Sequence, residues 1–256
     1  VLLERIIGRF PECRACRPDR EVVQHEREFH EQILWTAFEK EPQLVALHRL
    51  FALESHAAAM LLRRAKKTNS SDVQPSDWSA ALGRLFGVPG TDREKAAFVE
   101  KEKALNVLHQ RRLSVLTGGA GTGKTSVLKV FLDELEATEG RQPMLLLAPT
   151  GKARVRLSTR TERNALTIHQ FLLKQGWLTR GFHLKENSDR DTYKAVTVII
   201  DESSMIPADL FGTMLKALDG GPLKRLILVG DPYQLPPIGP GRPFVDIIEW
   251  LKREQP

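Results

Sequence analysis

The chain has 256 residues, enough for a full core in one or two domains, and 41% hydrophobic with 27% charged residues is the composition of a globular protein. No apolar run approaches the roughly 20 residues that span a bilayer, which argues against a membrane protein and for a soluble one. A formal net charge of +6 favours polyanionic partners, because clustered Lys and Arg release counterions from a phosphate backbone.

Taken in chain order, the first residues, Leu2, Leu3, Ile6 and Ile7, are apolar at helical spacing. Cys13-x2-Cys16, His25 and His30 form a zinc-competent set, but the step from His25 to His30 suits one helical face poorly. A helical module with free thiols is the preferred reading, with zinc as the alternative. Two cysteines cannot staple a chain of this length and no signal peptide is legible, so a reducing cytoplasm is expected. Val22, Phe29, Ile33, Phe38, Leu44, Leu47, Phe51, Ala58 and Leu62 recur at helix-like intervals, broken near Pro42, and predict helix over residues 22–62. A polar stretch over 68–76 reads as a linker. A short helix over Trp78–Phe86 and a turn at Gly87, Pro89 and Gly90 follow. The expected division is a helical amino-terminal module over 1–90 and a second domain over 91–256.

Thr91 with Glu94 has the spacing of a capping box and starts a helix towards Gln110. Beyond it, short apolar runs at 113–116, 144–148, 196–200 and 226–229 alternate with helical segments, the pattern of a parallel sheet covered on both faces. The predicted class is α/β. Gly140, Pro207 and the pair Gly220-Gly221 mark helix ends, and the polar stretch 175–193 reads as a surface insertion.

The first of those strands runs into Gly118-Gly119-Ala120-Gly121-Thr122-Gly123-Lys124-Thr125, a match to G-x-x-x-x-G-K-[ST] between a strand and a helix, with Ser126 next. Such glycines let backbone N–H groups turn towards phosphates at a helix N-terminus. Lys124 would bridge the outer phosphates, and the Thr125 hydroxyl would hold Mg2+. The strand at 196–200 delivers Asp201 and Glu202 at its carboxyl end, Asp201 to anchor Mg2+ and Glu202 to orient and deprotonate the attacking water. The strand after it ends in Gly230-Asp231-Pro232-Tyr233-Gln234, where Gln234 can sense the γ-phosphate. Thr150, Lys152 and Arg154 lie just past another strand end, where hydroxyl, N–H and cationic groups suit strand phosphates, with an ordinary basic helix start as the alternative. Arg154, Arg156, Arg160 and Arg163 form a basic run, read as a solvated face with a DNA-facing one as the alternative.

Residues 118–125, Ala148-Pro149-Thr150-Gly151-Lys152-Ala153, Thr167-Ile168-His169, Asp201-Glu202-Ser203-Ser204-Met205 and residues 230–241 resemble, in order, motifs I, Ia, Ib, II and III of RecD-like superfamily 1 DNA helicases. The resemblance covers about residues 92–256 and implies a RecA-like P-loop fold. It implies ATP and Mg2+ as cofactors, catalytic roles for Lys124, Glu202 and Gln234, and 5′ to 3′ movement on single-stranded DNA. The strand contacts it implies are Pro149, Thr150, Gly151, Lys152, Thr167 and His169. Lys101 occupies the position where the family usually carries an adenine-reading Gln, which leaves base selectivity open. Motifs IV, V and VI of a second RecA-like domain are not represented, so the resemblance implies that full activity needs that domain and that these residues bind nucleotide with little turnover. A nucleotide-switched DNA or partner-binding module is the alternative.

Overall fold

A computed structural model describes residues 35–38, 41–69, 77–119, 121–178 and 193–254, with the backbone alone over 35–50. The zinc-competent residues Cys13, Cys16, His25 and His30, the early helical run, Ala120 and most of the 175–193 insertion lie outside these residues.

Strands β1 (Trp35–Phe38) and β2 (Glu41–Leu47) pair antiparallel, with an irregular register between Ala37 and Phe38. Helix α1 (His48–Ala65) follows, then α2 (Trp78–Phe86) and α3 (Asp92–Gln110). Within the helix expected over 22–62, residues from His48 onward are helical, residues 35–38 and 41–47 are instead two paired strands, and residues 22–34 and 39–40 lie outside the described residues. Trp, Thr, Phe and Val favour extended chain, and Pro42 interrupts helical hydrogen bonding. The remainder alternates as β3 (Leu113–Thr117), α4 (Lys124–Glu139), β4 (Met144–Ala148), α5 (Gly151–Thr161), β5 (Ala165–Thr167) and α6 (Ile168–Lys174). It continues with β6 (Thr197–Ile200), a 3-10 turn (Ser203–Met205), α7 (Ala208–Leu218), β7 (Arg225–Gly230) and α8 (Pro243–Glu254). β5, only three residues long, is too short to show a hydrophobic period and was not expected as a strand.

β3 to β7 form a five-stranded sheet in the order β3-β7-β6-β4-β5, and every pairing is parallel. The fold is a RecA-like P-loop α/β sheet with accompanying helices. Strand residues alternate between its faces, as period-2 geometry requires. Leu145, Leu147, Val198, Ile200, Leu226 and Leu228 pack with α1, α6, α7 and α8 through residues such as Met60, Phe171, Met214 and Phe244. Leu146, Ile199, Ile227 and Val229 pack with α2 to α5 through Trp78, Leu105, Phe131 and Leu157. The two helices assigned by sequence to the amino-terminal module, α1 and α2, thus each fill one of the two cores of the sheet. Of the expected linker, residues 70–76 lie outside the described residues; in Asn69 the N–H donates to Gln110 at 2.8 Å and the Nδ2 to His109 at 3.0 Å.

Local signals act where they were read. Thr91 and Glu94 close a complete capping box at the start of α3. Gly140 ends α4 with φ 76°, a left-handed value that glycine adopts without penalty. At the opposite end of the sheet from the strand carboxyl termini, Arg225, buried at the start of β7, donates to Glu139 at the end of α4 and to the His109 carbonyl. Lys224 Nζ adds a 3.0 Å bond to the same carboxylate. Burial alone would push the Glu139 carboxyl up, but the bonds from Arg225 and Lys224 overcome it and hold the pKa at about 2. A depressed carboxylate contributes stability that is complete above its unfolded value and is lost as pH falls through the folded one. Denaturant titrations should show Glu139→Gln destabilised by about 3 kcal/mol at pH 7, because Arg225 is left buried without its partner. Below about pH 4 the gap between variant and parent should narrow.

Candidate functional site

The strands end in register, so their carboxyl ends form one edge on which β3, β6 and β7 each deliver a loop. After β3 the loop turns through Gly121 (φ 78°) and Gly123 (φ 87°) into α4. Both values lie in the left-handed region, where a side chain would be strained. Gly123 caps α4 without a side-chain hydrogen bond, so the N–H groups of its first turn remain available for an anion. Lys124 Nζ donates to the carbonyls of Gly118 and Gly119, the latter at 2.8 Å, which holds its ammonium against the loop. Thr125 is buried.

After β6, Asp201 is 3% exposed, and its Oδ2 is buried with no hydrogen-bond partner while Oδ1 accepts from the Glu202 N–H at 3.0 Å. Burial, opposed by the bond from the Glu202 N–H, pushes the Asp201 carboxyl up. A buried carboxylate oxygen without a partner is costly unless something cationic completes it, and Thr125 supplies a neighbouring hydroxyl. This is the donor chemistry of a hard divalent cation, so Thr125 and Asp201 fit Mg2+. Glu202 stands at φ 53°, ψ 39°, a left-handed conformation that costs a non-glycine residue of order 1 kcal/mol and turns its side chain off the strand direction. Its carboxylate ion-pairs with Arg156 of α5.

Gly121, Thr122, Gly123, Lys124, Thr125 and Ser126 meet Asp201, Glu202 and Gln234 around one cleft of about 350 Å3. Arg156 and Arg160, from the arginine run read as a solvated face, complete its wall. They lie one helical turn apart on α5, a spacing that was legible but could not say which way the face points. Arg163, from the same basic run, is committed elsewhere, to Asp133 at 2.7 Å and Glu136 at 2.9 Å. Lys101 sits outside the cleft, its Nζ 5.1 Å from the centre of the Phe86 ring.

The expected strand-binding residues divide. Pro149, Thr150 and His169 line a second, larger groove of about 770 Å3 together with Leu172, Leu178, Met205, Leu210 and the segment Leu235, Pro236, Pro237 and Ile238. Gly151 and Lys152 are exposed beside it in the first turn of α5, and the Thr150 and Thr167 hydroxyls accept from Ala153 and Gln170 as helix N-caps. The apolar members Met205, Leu210, Leu235 and Ile238 were not singled out by sequence. Ile238 is fully exposed and Leu235 84% exposed, unusual for side chains of that size. Their loop is anchored behind by Gly239 and Gly241, where a Cβ would come within 2.9 Å of Pro207 and 2.8 Å of Ala208.

A glycine loop at a helix N-terminus, a buried acceptor for a divalent cation and a carboxylate beside it define a P-loop nucleotide-binding domain. Residues 101–240 match the family model described as an AAA domain. The chain belongs to that family, and its motif block is that of a RecD-like superfamily 1 helicase region. It is 37% identical over 164 residues to the ATP-dependent RecD2 DNA helicase of Deinococcus radiodurans, covering 64% of this chain and 21% of that protein. To the RecBCD enzyme subunit RecD of Mycolicibacterium smegmatis it is 33% identical over 191 residues, 66% of this chain and 32% of the subunit. To the ATP-dependent DNA helicase dda of Enterobacteria phage T4 it is 31% identical over 152 residues, 59% of this chain and 34% of the relative. The chain thus spans about a fifth to a third of the length of these relatives. Among the described residues no three His, Cys, Asp or Glu side chains are grouped as metal ligands, and no helix is long and apolar enough to cross a membrane.

Proposed function

We propose that this chain is the ATP-binding half of a DNA helicase that moves along single-stranded DNA in the 5′ to 3′ direction, and that a second RecA-like domain completes its turnover. The observation that carries the reading is the sharing of one loop by two sites. Gln234 faces the cleft that holds Lys124, Asp201 and Glu202, and its neighbour Leu235 faces the groove lined by Thr150 and His169. A change at the γ-phosphate felt by Gln234 is thereby one residue away from side chains that touch the strand.

In this reading the loop N–H groups and Lys124 hold the triphosphate, Thr125 and Asp201 hold Mg2+, and the bound metal supplies charge neutralisation at the phosphates. Glu202 orients a water in line with the γ-phosphorus and accepts its proton as the water oxygen bonds to that phosphorus, while the bond from phosphorus to the β,γ-bridging oxygen breaks, giving ADP and inorganic phosphate. Strand phosphates sit on the first turn of α5 at Thr150, Gly151 and Lys152, with Pro149, Thr167 and His169 beside them, and bases lie against Leu235 and Ile238. Transition-state arginines of a second domain would be worth about 1000-fold or more in rate, so these residues alone should bind nucleotide and turn it over slowly.

Lys152→Glu should weaken single-stranded DNA binding about tenfold in fluorescence anisotropy and lower its salt dependence, with nucleotide affinity unchanged. Unchanged strand affinity would remove the groove from the track. Strand displacement from oppositely tailed duplexes by the chain joined to its second motor domain tests polarity.

The alternative, a nucleotide-switched binding module, shares every binding contact and differs in turnover. The placement of Glu202 and Gln234 favours the motor, since a passive binder has no use for a water-orienting carboxylate.

A further inference from the structure

We propose that Arg156 is a latch on Glu202: it holds the water-activating carboxylate in an ion pair until a strand in the neighbouring groove moves α5 and releases it. The inference rests on the reading of Glu202 and the groove given above and adds the residue that connects them.

Three observations meet at Arg156. The first is the ion pair itself, formed across the cleft between an α5 side chain and the carboxylate that must stay free to accept a proton. A carboxylate engaged by a guanidinium has lone pairs occupied by charge-assisted hydrogen bonds and is held in one orientation, so it is not free to receive a hydrogen bond from a water. The second is the setting of the contact: the Glu202 side chain is 14% exposed within the cleft while the Arg156 side chain is 47% exposed, so the carboxylate is enclosed and the guanidinium that holds it stays open to solvent and free to leave.

The third is the course of α5. Its N-cap, Thr150, lines the groove, and Arg156 lies in its second turn. Ala153 and Leu157, between and beside them, are buried against the sheet, so the turn joining groove to latch is a packed element. A strand phosphate drawn to the N-terminus of α5 and to Lys152 acts on the same short helix that carries Arg156. A displacement of about 1 Å at such a packed contact is enough to exchange one hydrogen-bonding arrangement for another. Arg160, one turn further along the same wall, and Lys124 are the cationic groups in the cleft to which nucleotide phosphates turn when Arg156 is engaged by Glu202. Arg156 acts through Glu202 and is a positioning residue.

The test uses single-turnover ATP hydrolysis with protein in excess, with and without single-stranded DNA, for the parent, Arg156→Ala and Arg156→Lys, with fluorescent Mg-nucleotide affinity measured in parallel. Arg156→Ala should raise the strand-free rate about fivefold or more and bring the ratio of strand-bound to strand-free rates close to one, both rates being read at Mg-ATP concentrations that saturate each variant by its own measured affinity. Arg156→Lys should restore part of the ratio. A fall in both rates, or a ratio equal to the parent's, overturns the latch.

A second measurement needs no turnover. In NMR spectra of the arginine side chains, the Arg156 guanidinium should show slowed rotation that is lost in Glu202→Gln and lost on adding single-stranded DNA. Signals indifferent to either change overturn the proposal. Failure of the parent to bind nucleotide or DNA at all would instead overturn the function proposed above, and the two failures are read from different experiments.

Discussion

Replacing Glu202 by glutamine is expected to leave Mg-ATP affinity within about twofold and to lower hydrolysis by about 100-fold to 10000-fold, the range lost with a positioned general base. The side chain keeps its length and hydrogen-bonding capacity, so the left-handed turn at residue 202 and the packing of the 3-10 turn behind it should persist. What disappears is the acceptor for the water's proton. The same exchange dissolves the ion pair to Arg156 and leaves a neutral amide, so the variant should also lose whatever dependence of the rate on DNA the pair imposes. Rates read in rapid-quench experiments separate the chemical step from release. An unchanged chemical rate would remove Glu202 from its role and leave the cleft with a metal-holding aspartate and no base.

Lys124→Ala is expected to act at an earlier step. The ammonium now donates to the carbonyls of Gly118 and Gly119, and it can exchange those bonds for phosphate oxygens without any movement of the backbone. Charge-assisted bonds of this kind contribute about 1.5–3 kcal/mol each, so losing the pair should weaken Mg-ATP binding by about 100-fold or more. The variant should fold normally, because Lys124 is only partly buried at the first position of α4 while the helix is held by Val127, Leu128 and Phe131. Calorimetric titration checks the affinity, and circular dichroism checks that the helix survives.

What was legible in the sequence follows the strength of local chemistry. The run 144–148 and the helix Trp78–Phe86 were read with their observed ends, because an apolar strand bounded by turns and a short amphipathic helix bounded by Asp77 and Gly87 each carry their own stop signals. The cleft was read through glycine spacing and through carboxylates that follow a buried strand, features fixed by backbone geometry. Three things were not legible. Trp35–Leu47 satisfies a helical count of apolar residues as well as a strand's preference for aromatic and β-branched ones, and pairing between its two halves is a long-range event that periodicity does not see. The place of α1 and α2 in the cores of the sheet depends on Met60, Leu61, Trp78 and Leu82 finding partners over a hundred residues later in several cases, although their composition reads as an autonomous helical module. The direction of Arg156 and Arg160 is set by the burial of Ala153 and Leu157, so a run of arginines that reads as a solvated or DNA-facing surface turns two of its members into the nucleotide cleft.

The central claim is that one carboxyl edge of the sheet builds a Mg-ATP site whose state is communicated to a neighbouring strand groove. The most direct test is the affinity of these residues for single-stranded DNA with and without saturating Mg-ATP, in the parent and in Lys124→Ala as the uncoupled reference. Saturable Mg-ATP binding by the parent, with a strand affinity that changes several-fold on nucleotide binding and stays constant in Lys124→Ala, is the predicted result. Strand affinity indifferent to nucleotide in the parent, with both ligands bound, would contradict the claim.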